Sequence, residues 1–239
     1  MRKAFSFLTC LGTPEIPTPS SLIWFPFVGL CLGLLLSGIW IFLSLFFPML
    51  VTSILVVLSD LFLTRMIHLD GLADASDGLI AHLSKQKRLQ VMADPLLGSF
   101  GVISIVISLG LRWAALYSLK PSLLILPSVW MASRAVMALG IVLVPYARPS
   151  TGLAGVFIVG NKKQKVIVVL VCVISILLAG VILGFWKLII GPLALMVGLV
   201  MAIVVMNLSR KKIDGFTGDI LGAMGIVLET ASLVIATLK

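Results

Sequence analysis

Three aspartates within twelve residues are the part of this sequence best suited to chemistry: Asp70, Asp74 and Asp77, in the stretch HLDGLADASDGL from His68 to Leu79. Their spacing of i, i+4 and i+7 puts all three on one face if the segment is helical. Like charges that close repel, which raises their pKa values unless a cation intervenes. A hard divalent ion removes the repulsion, and magnesium commonly binds through a few carboxylates together with substrate phosphates. Gly71 and Gly78 each follow an aspartate directly and would let phosphate oxygens approach the backbone. His68 is a candidate base, and equally a hydrogen-bonded interfacial histidine. The bland alternative is a solvated helix face with glycines marking its ends. Its place at the mouth of an apolar run, with two glycines and a histidine around it, favours a site. Asp94, in Met92-Ala93-Asp94-Pro95, is either a further ligand from the same loop or the end of a helix before proline.

Other segments supply the complementary charge. Tyr146-Ala147-Arg148-Pro149-Ser150-Thr151-Gly152 is a rigid loop carrying one arginine, and Arg210-Lys211-Lys212 precedes Gly215-Phe216-Thr217-Gly218-Asp219. Backbone amides at a helix start, here around Thr217 and Gly218, make an anion cradle, and arginines pair with phosphate through two hydrogen bonds. Arg148 and Arg210 are the phosphate-binding candidates, and Asp219 a further metal ligand. Asn161 to Lys165 reads as a topology anchor. Asp60, Arg112, Arg134 and Glu229 fall inside apolar runs, where charge is costly unless paired. Ion pairs between helices are the default for them, with Arg134 alternatively reaching a polar cavity as a substrate contact.

The elements that must position these residues are membrane helices. Sixty per cent of the chain is hydrophobic, 11% is charged, and the mean hydropathy is +1.22. A soluble domain is nearer half apolar and a quarter charged, so lipid must cover the excess. Seven runs are long enough to cross a bilayer: 21–47, 48–66, 99–119, 123–144, 166–184, 188–206 and 220–238. The expected fold is therefore all-α, a polytopic integral membrane bundle of about seven transmembrane helices in one domain, 1–239. Alternation puts residues 1–20, 67–98, 145–165 and 207–219 on one side. That side, with Arg65, carries thirteen basic residues against Lys120, Lys187 and Lys239 on the other. Positive-inside bias then makes it cytoplasmic. It also holds seven of the nine acids, as a polar active site on that face requires. The net charge of +9 is explained by these loops, so no nucleic-acid partner is implied. Cys10, Cys31 and Cys172 form no metal or disulfide spacing and read as inert thiols. The first residues lack a cleavage site and read as an interfacial segment that stays on the protein.

HLDGLADASDGL followed by RLQVMADPLLGSFGV resembles the signature of the cobalamin synthase (adenosylcobinamide-GDP ribazoletransferase) family, whose second part usually reads like IMKDSRIGxFG. FSFLTCLGTPEIP, PYARPSTGL and GFTGDILGA agree as well, in the family's order, and the blocks together span nearly the whole chain. The resemblance implies a multi-pass enzyme of the prokaryotic cell (inner) membrane, acting in the last steps of cobalamin biosynthesis with its site toward the cytoplasm. Such an enzyme joins adenosylcobinamide-GDP to α-ribazole, or its 5′-phosphate, by attack of a ribazole hydroxyl on the cobinamide-linked phosphorus, and GMP leaves. It implies Mg2+ held by Asp70, Asp74 and Asp77, with Asp94 and Asp219 as further ligands, and His68 or an aspartate as base. Arg148, Arg134, Arg210, Gly71, Gly78, Thr217 and Gly218 would then meet the substrate.

This chain departs from the pattern in three places. Cys10 stands where an arginine is expected, Pro95-Leu96 replaces Ser-Arg after Asp94, and Ile226 replaces a glutamate, although Glu229 matches the next acid. Arg88 or Arg148 would have to replace the arginine lost after Asp94. A CDP-alcohol phosphotransferase would do similar chemistry, but this chain lacks the DGxxAR start of that family. A secondary transporter would show inverted repeats, and none is visible. Self-association into a homo-oligomer is left open by the sequence.

Overall fold

The apolar runs all become helices in the computed structural model, which describes residues 1–13, 15–148, 153–157 and 161–239. Among the described residues the order is α1 (Arg2–Leu8), α2 (Phe25–Ser44), α3 (Met49–Leu63), α4 (Ile67–Ile80), α5 (Lys85–Val91), α6 (Ser99–Ser118), α7 (Ile125–Leu143), α8 (Lys162–Trp186), α9 (Ile190–Ile213) and α10 (Gly218–Ala236), with short 3₁₀ turns at Pro19–Trp24 and Leu153–Phe157. Six helices are long and apolar enough to cross a membrane: α2 with its leading turn, α6, α7, α8, α9 and α10. The pair of α3 and α4 makes a seventh, bent by 87°. The α3 segment, at 15 residues, is about 22 Å long, short for a bilayer core of about 30 Å. The α4 segment carries three carboxylates in 14 residues and turns away from α3 at that bend.

Contacts join the polar segments to one another at one end of the bundle. Cys10 N donates to Leu63 O at 2.7 Å, and Ala147 N donates to Phe216 O at 2.9 Å. Lys85 pairs with Asp214 at 2.7 Å, and Arg148 Nη2 reaches Met92 O at 3.3 Å. The four polar segments thus meet at one rim. At the opposite end Trp113 Nε1 donates to Leu50 O and Lys187 Nζ to Leu238 O. Lys211 and Lys212 close α9 beside Asp214, which takes the left-handed conformation there.

Nearly all of α7 is buried, and most of α10. They form the centre, with α2 packed on α7, and α4, α6 and α9 on α10. Outward-facing Val106 and Ile107 on α6 and Leu170, Ile174, Leu177 and Val181 on α8 are exposed, as a lipid-facing surface requires. The intramembrane charges are paired as expected by default. Arg112 holds Asp60 at 2.7 Å and also Glu229, while Arg134 holds Glu229 from the other side. Trp130 Nε1 donates to Asp60 at 2.9 Å and Arg112 Nε to Thr230 at 3.0 Å. Two arginines balance two acids across α3, α6, α7 and α10, all of them buried.

Candidate active site

The rim helix α4 is set by its backbone before any side chain acts. Arg65 and Met66 both take positive φ, 53° and 57°. For residues bearing a Cβ that conformation costs about 1–2 kcal/mol each. Two in succession turn the chain and lay α4 against the start of α10. There Gly71 comes so close to Asp219 that a Cβ would lie 2.9 Å from its carbonyl oxygen, and a Cβ at Gly222 would lie 3.1 Å from the His68 backbone. These close approaches bring the polar face of α4 beside the first turn of α10.

A second strap brings in the arginine. Phe216 N donates to Pro145 O and Ala147 N to Phe216 O, both at 2.9 Å. That pairing holds Tyr146 to Arg148 alongside the segment leading into α10. Arg148 Nη2 then donates to Asp219 Oδ2 at 3.2 Å. Buried Thr217 caps α10, accepting from Ile220 N at 3.4 Å, and its hydroxyl donates to Asp219 Oδ2 at 3.1 Å. Pro149 to Gly152, the rest of the expected arginine loop, lie outside the described residues.

These elements enclose a cavity of about 310 Å³. Its lining includes the polar His68, Asp70, Tyr146, Arg148, Gly218 and Asp219 together with the apolar Phe7, Phe25, Met137, Ile141 and Phe157. Asp74, half-buried one turn after Asp70, has its carboxyl pushed up to about 7, first by burial and then by the charges of Asp70 and Asp219, against the pull of Arg148. His68 is pulled down to about 3, by burial and then by Arg134, so its ring is neutral. Burial first, and then the charges of Asp70 and Asp219, hold the Asp74 carboxyl near neutrality, and a cation beside these acids would relieve that repulsion.

The aspartates are grouped differently from the i, i+4, i+7 expectation. Asp77 is buried, and its two oxygens accept from Gly98 N at 2.8 Å and Gly101 N at 2.9 Å, so it caps the start of α6. A Cβ on either glycine would lie 2.4 Å from that carboxylate. Asp94 is exposed, turns back to accept from Leu96 N, and shares with Asp77 an open depression beyond α4. Asp219 takes the third place beside Asp70 and Asp74. Gly71 and Gly78 are used for chain packing, against Asp219 and Met92 respectively, in place of the expected phosphate approach. Arg134 is enclosed with Glu229 and Ser133 and does not line the cavity, so the alternative of a substrate contact gives way to the structural pair. Arg210 is exposed in the last turn of α9, where it suits the helix dipole, and it too lies off the cavity. Arg88 is committed to the carbonyls of Gly78 and Leu79 at the end of α4. Of the two arginines considered for the gap after Asp94, Arg148 is the one at the cavity. The phenylalanines of the lining carried no signal of their own, being single aromatics in apolar stretches.

Residues 1–237 match the family described as cobalamin-5-phosphate synthase. The chain is 36% identical over 235 residues to the adenosylcobinamide-GDP ribazoletransferase of Prosthecochloris aestuarii, covering 95% of this chain and 92% of that one. It is 34% identical over 235 residues to the protein of the same name from Chlorobium chlorochromatii, with 96% and 90% covered. A third relative of that name, from Syntrophobacter fumaroxidans, is 32% identical over 241 residues, with 96% and 94% covered. No solved structure matches the chain.

Proposed function

The chain belongs to the cobalamin-5-phosphate synthase family of transferases, and on that footing we propose that it joins adenosylcobinamide-GDP to α-ribazole, or its 5′-phosphate, in a magnesium-dependent reaction at the cytoplasmic rim of a cell membrane. The observation that carries the reading is the meeting of Asp70, Asp219 and Arg148 around one cavity at the rim where the basic loops gather, with Asp74 one turn along α4 and close enough to feel their charges. In the reaction a ribazole hydroxyl oxygen bonds to the cobinamide-linked phosphorus, the bond from that phosphorus to the bridging oxygen breaks, GMP departs with the electron pair, and the hydroxyl proton is released.

Asp70 and Asp219 would hold the ion, with Asp74 adding its charge. Among the described residues no three such side chains enclose an ion by themselves, so diphosphate oxygens and water would complete the shell. The chemistry that magnesium would supply there is to offset charge developing toward the leaving group. Arg148, already paired with Asp219, turns its remaining donors to the diphosphate. Asp74, titrating near neutrality, suits taking the hydroxyl proton, whereas the weakly basic His68 suits orienting the acceptor.

Purified protein in lipid with magnesium should release GMP from adenosylcobinamide-GDP only when α-ribazole is added. Equal release without it would identify a hydrolase. The pH dependence follows from Asp74. Its carboxyl is protonated below about 7 and charged above, so each pH unit below that point should weaken magnesium binding by up to about tenfold. Isothermal titration with magnesium across neutrality checks this, and an affinity that is flat there removes Asp74 from the cation site.

A further inference from the structure

The helix that carries the aspartates borders a second space. His68 and Asp70 of α4 line the cavity, whereas Leu72 and Ile80 line a separate groove of about 520 Å³ that shares no residue with it. The rest of the groove is lined by α6, α9 and α10, the first two packed on the third. Its lining is apolar apart from the hydroxyls of Ser104, Ser108 and Thr230. Those hydroxyls are already engaged. Ser104 donates to Gly101 O at 2.8 Å and Thr230 to Ile226 O at 2.7 Å, and Ser108 lies 3.3 Å from the Thr230 hydroxyl. Phe100, Ile103, Ile107 and Leu111 along α6 are 40–55% exposed, so the groove presents open apolar surface and is not a packed seam.

Length and charge decide the occupant. Phe100 to Leu111 covers about 16 Å along α6, the depth of one leaflet in a hydrocarbon core of about 30 Å. A helix from a second copy, about 10 Å across, would displace roughly 1,200 Å³ over that length. That is more than twice the volume of the groove, and a single acyl chain is far slimmer. At the rim the groove is bounded by Ile80 and Phe100. The carbonyl of Leu79, next to Ile80, accepts from both Lys212 Nζ and Arg88 Nη1. Arg210 and Lys211 share the last turn of α9 with Lys212, and Lys85 pairs with Asp214 at the surface. Asp77 and Asp94 lie beyond Phe100, and both already accept from backbone amides. Positive charge is therefore in excess at the rim end. An apolar groove one leaflet deep that ends in basic side chains matches a lipid with an anionic headgroup. We propose that this groove is a binding site for one anionic phospholipid, with an acyl chain along α6 and the phosphate at Lys212. Seated there, the chain lies against Ile80 and braces the helix that carries Asp70 and Asp74.

Titration of the full chain in detergent with dioleoyl phosphatidylglycerol, and separately with dioleoyl phosphatidylcholine, tests this, with bound lipid counted by native mass spectrometry. The two lipids share their chains and differ in headgroup charge. The wild-type chain should bind phosphatidylglycerol about tenfold more tightly, and its thermal midpoint should rise as that lipid is added. Lys212→Gln, whose amide can still donate to Leu79 O, should bind phosphatidylglycerol about fivefold more weakly, with phosphatidylcholine unaffected. Ala231→Leu and Ser104→Leu place extra carbon in the groove, and each should weaken phosphatidylglycerol binding about tenfold or more. Equal affinity of the wild-type chain for the two lipids would overturn the proposal, even if every variant failed to fold. A filled variant that binds phosphatidylglycerol as the wild type does would overturn it too. A doubled mass in the wild type that Ala231→Leu returns to a single copy would give the groove to a second chain, with the same result.

Discussion

Asp70→Asn and Asp74→Asn are each expected to lower GMP release about a thousandfold at saturating magnesium, whereas Asp77→Asn retains much of its turnover and loses stability. The contrast comes from where the side chains go. Asp70 lines the cavity, and Asp74 feels the charges of Asp70 and Asp219 directly. An amide at either position removes one of the negative charges that draw in the cation and, at Asp74, the proton acceptor as well. Preorganised electrostatic groups of this kind are worth about 10²–10³-fold each. Asp77 instead accepts hydrogen bonds from Gly98 N and Gly101 N. Asparagine keeps one carbonyl acceptor but sets an amino group against the second N–H, at a cost of about 1–3 kcal/mol. A lowered thermal midpoint with GMP release intact at lower temperature is the expected signature. Full turnover by both Asp70→Asn and Asp74→Asn would remove the cation site. An Asp77→Asn protein as inactive as those two, with an unchanged midpoint, would put Asp77 back among the ligands.

That contrast also marks where sequence reading stopped. Hydropathy located the spans because bilayer thickness dictates their length, and the charges in short loops located the polar rim. Asp60, Arg112, Arg134 and Glu229 stood out because an unpaired charge in lipid is too costly to leave alone. The direction of α4 was not legible, since it depends on left-handed conformations at Arg65 and Met66, residues with no glycine-like signature. Once α4 folds across the rim, helical periodicity no longer decides which aspartates act together. The packing of Gly71 on Asp219 brings in an acid 148 positions away, while the amides of Gly98 and Gly101 take Asp77 out. Each of these partners is distant in the chain, and one sequence alone gives no means of pairing them. The packing of Phe7, Phe25 and Phe157 on one another was hidden for a related reason, because each is a single aromatic in an apolar stretch.

The buried ion network carries the second large effect. Glu229 sits between Arg112 and Arg134, and Asp60 holds Arg112 from the far side. Glu229→Gln leaves Arg134 without an acid inside the bundle, and breaking a buried pair in this way costs about 3–5 kcal/mol. Arg134→Met alone leaves three charges, with Glu229 still held by Arg112, and should be milder. The double variant Glu229→Gln with Arg134→Met restores neutrality, because Asp60 and Arg112 remain a matched pair. It is expected to melt higher than Glu229→Gln alone, with a coupling energy above about 1 kcal/mol in the cycle. The network joins α3, α6 and α7 to α10, the helix whose first turn carries Asp219. GMP release should therefore follow thermal stability through the cycle, lost with Glu229→Gln and largely recovered in the double variant. Strictly additive midpoints across the three variants would show that the four charges are not one network. Recovered stability without recovered turnover would mean that Glu229 or Arg134 serves the reaction directly.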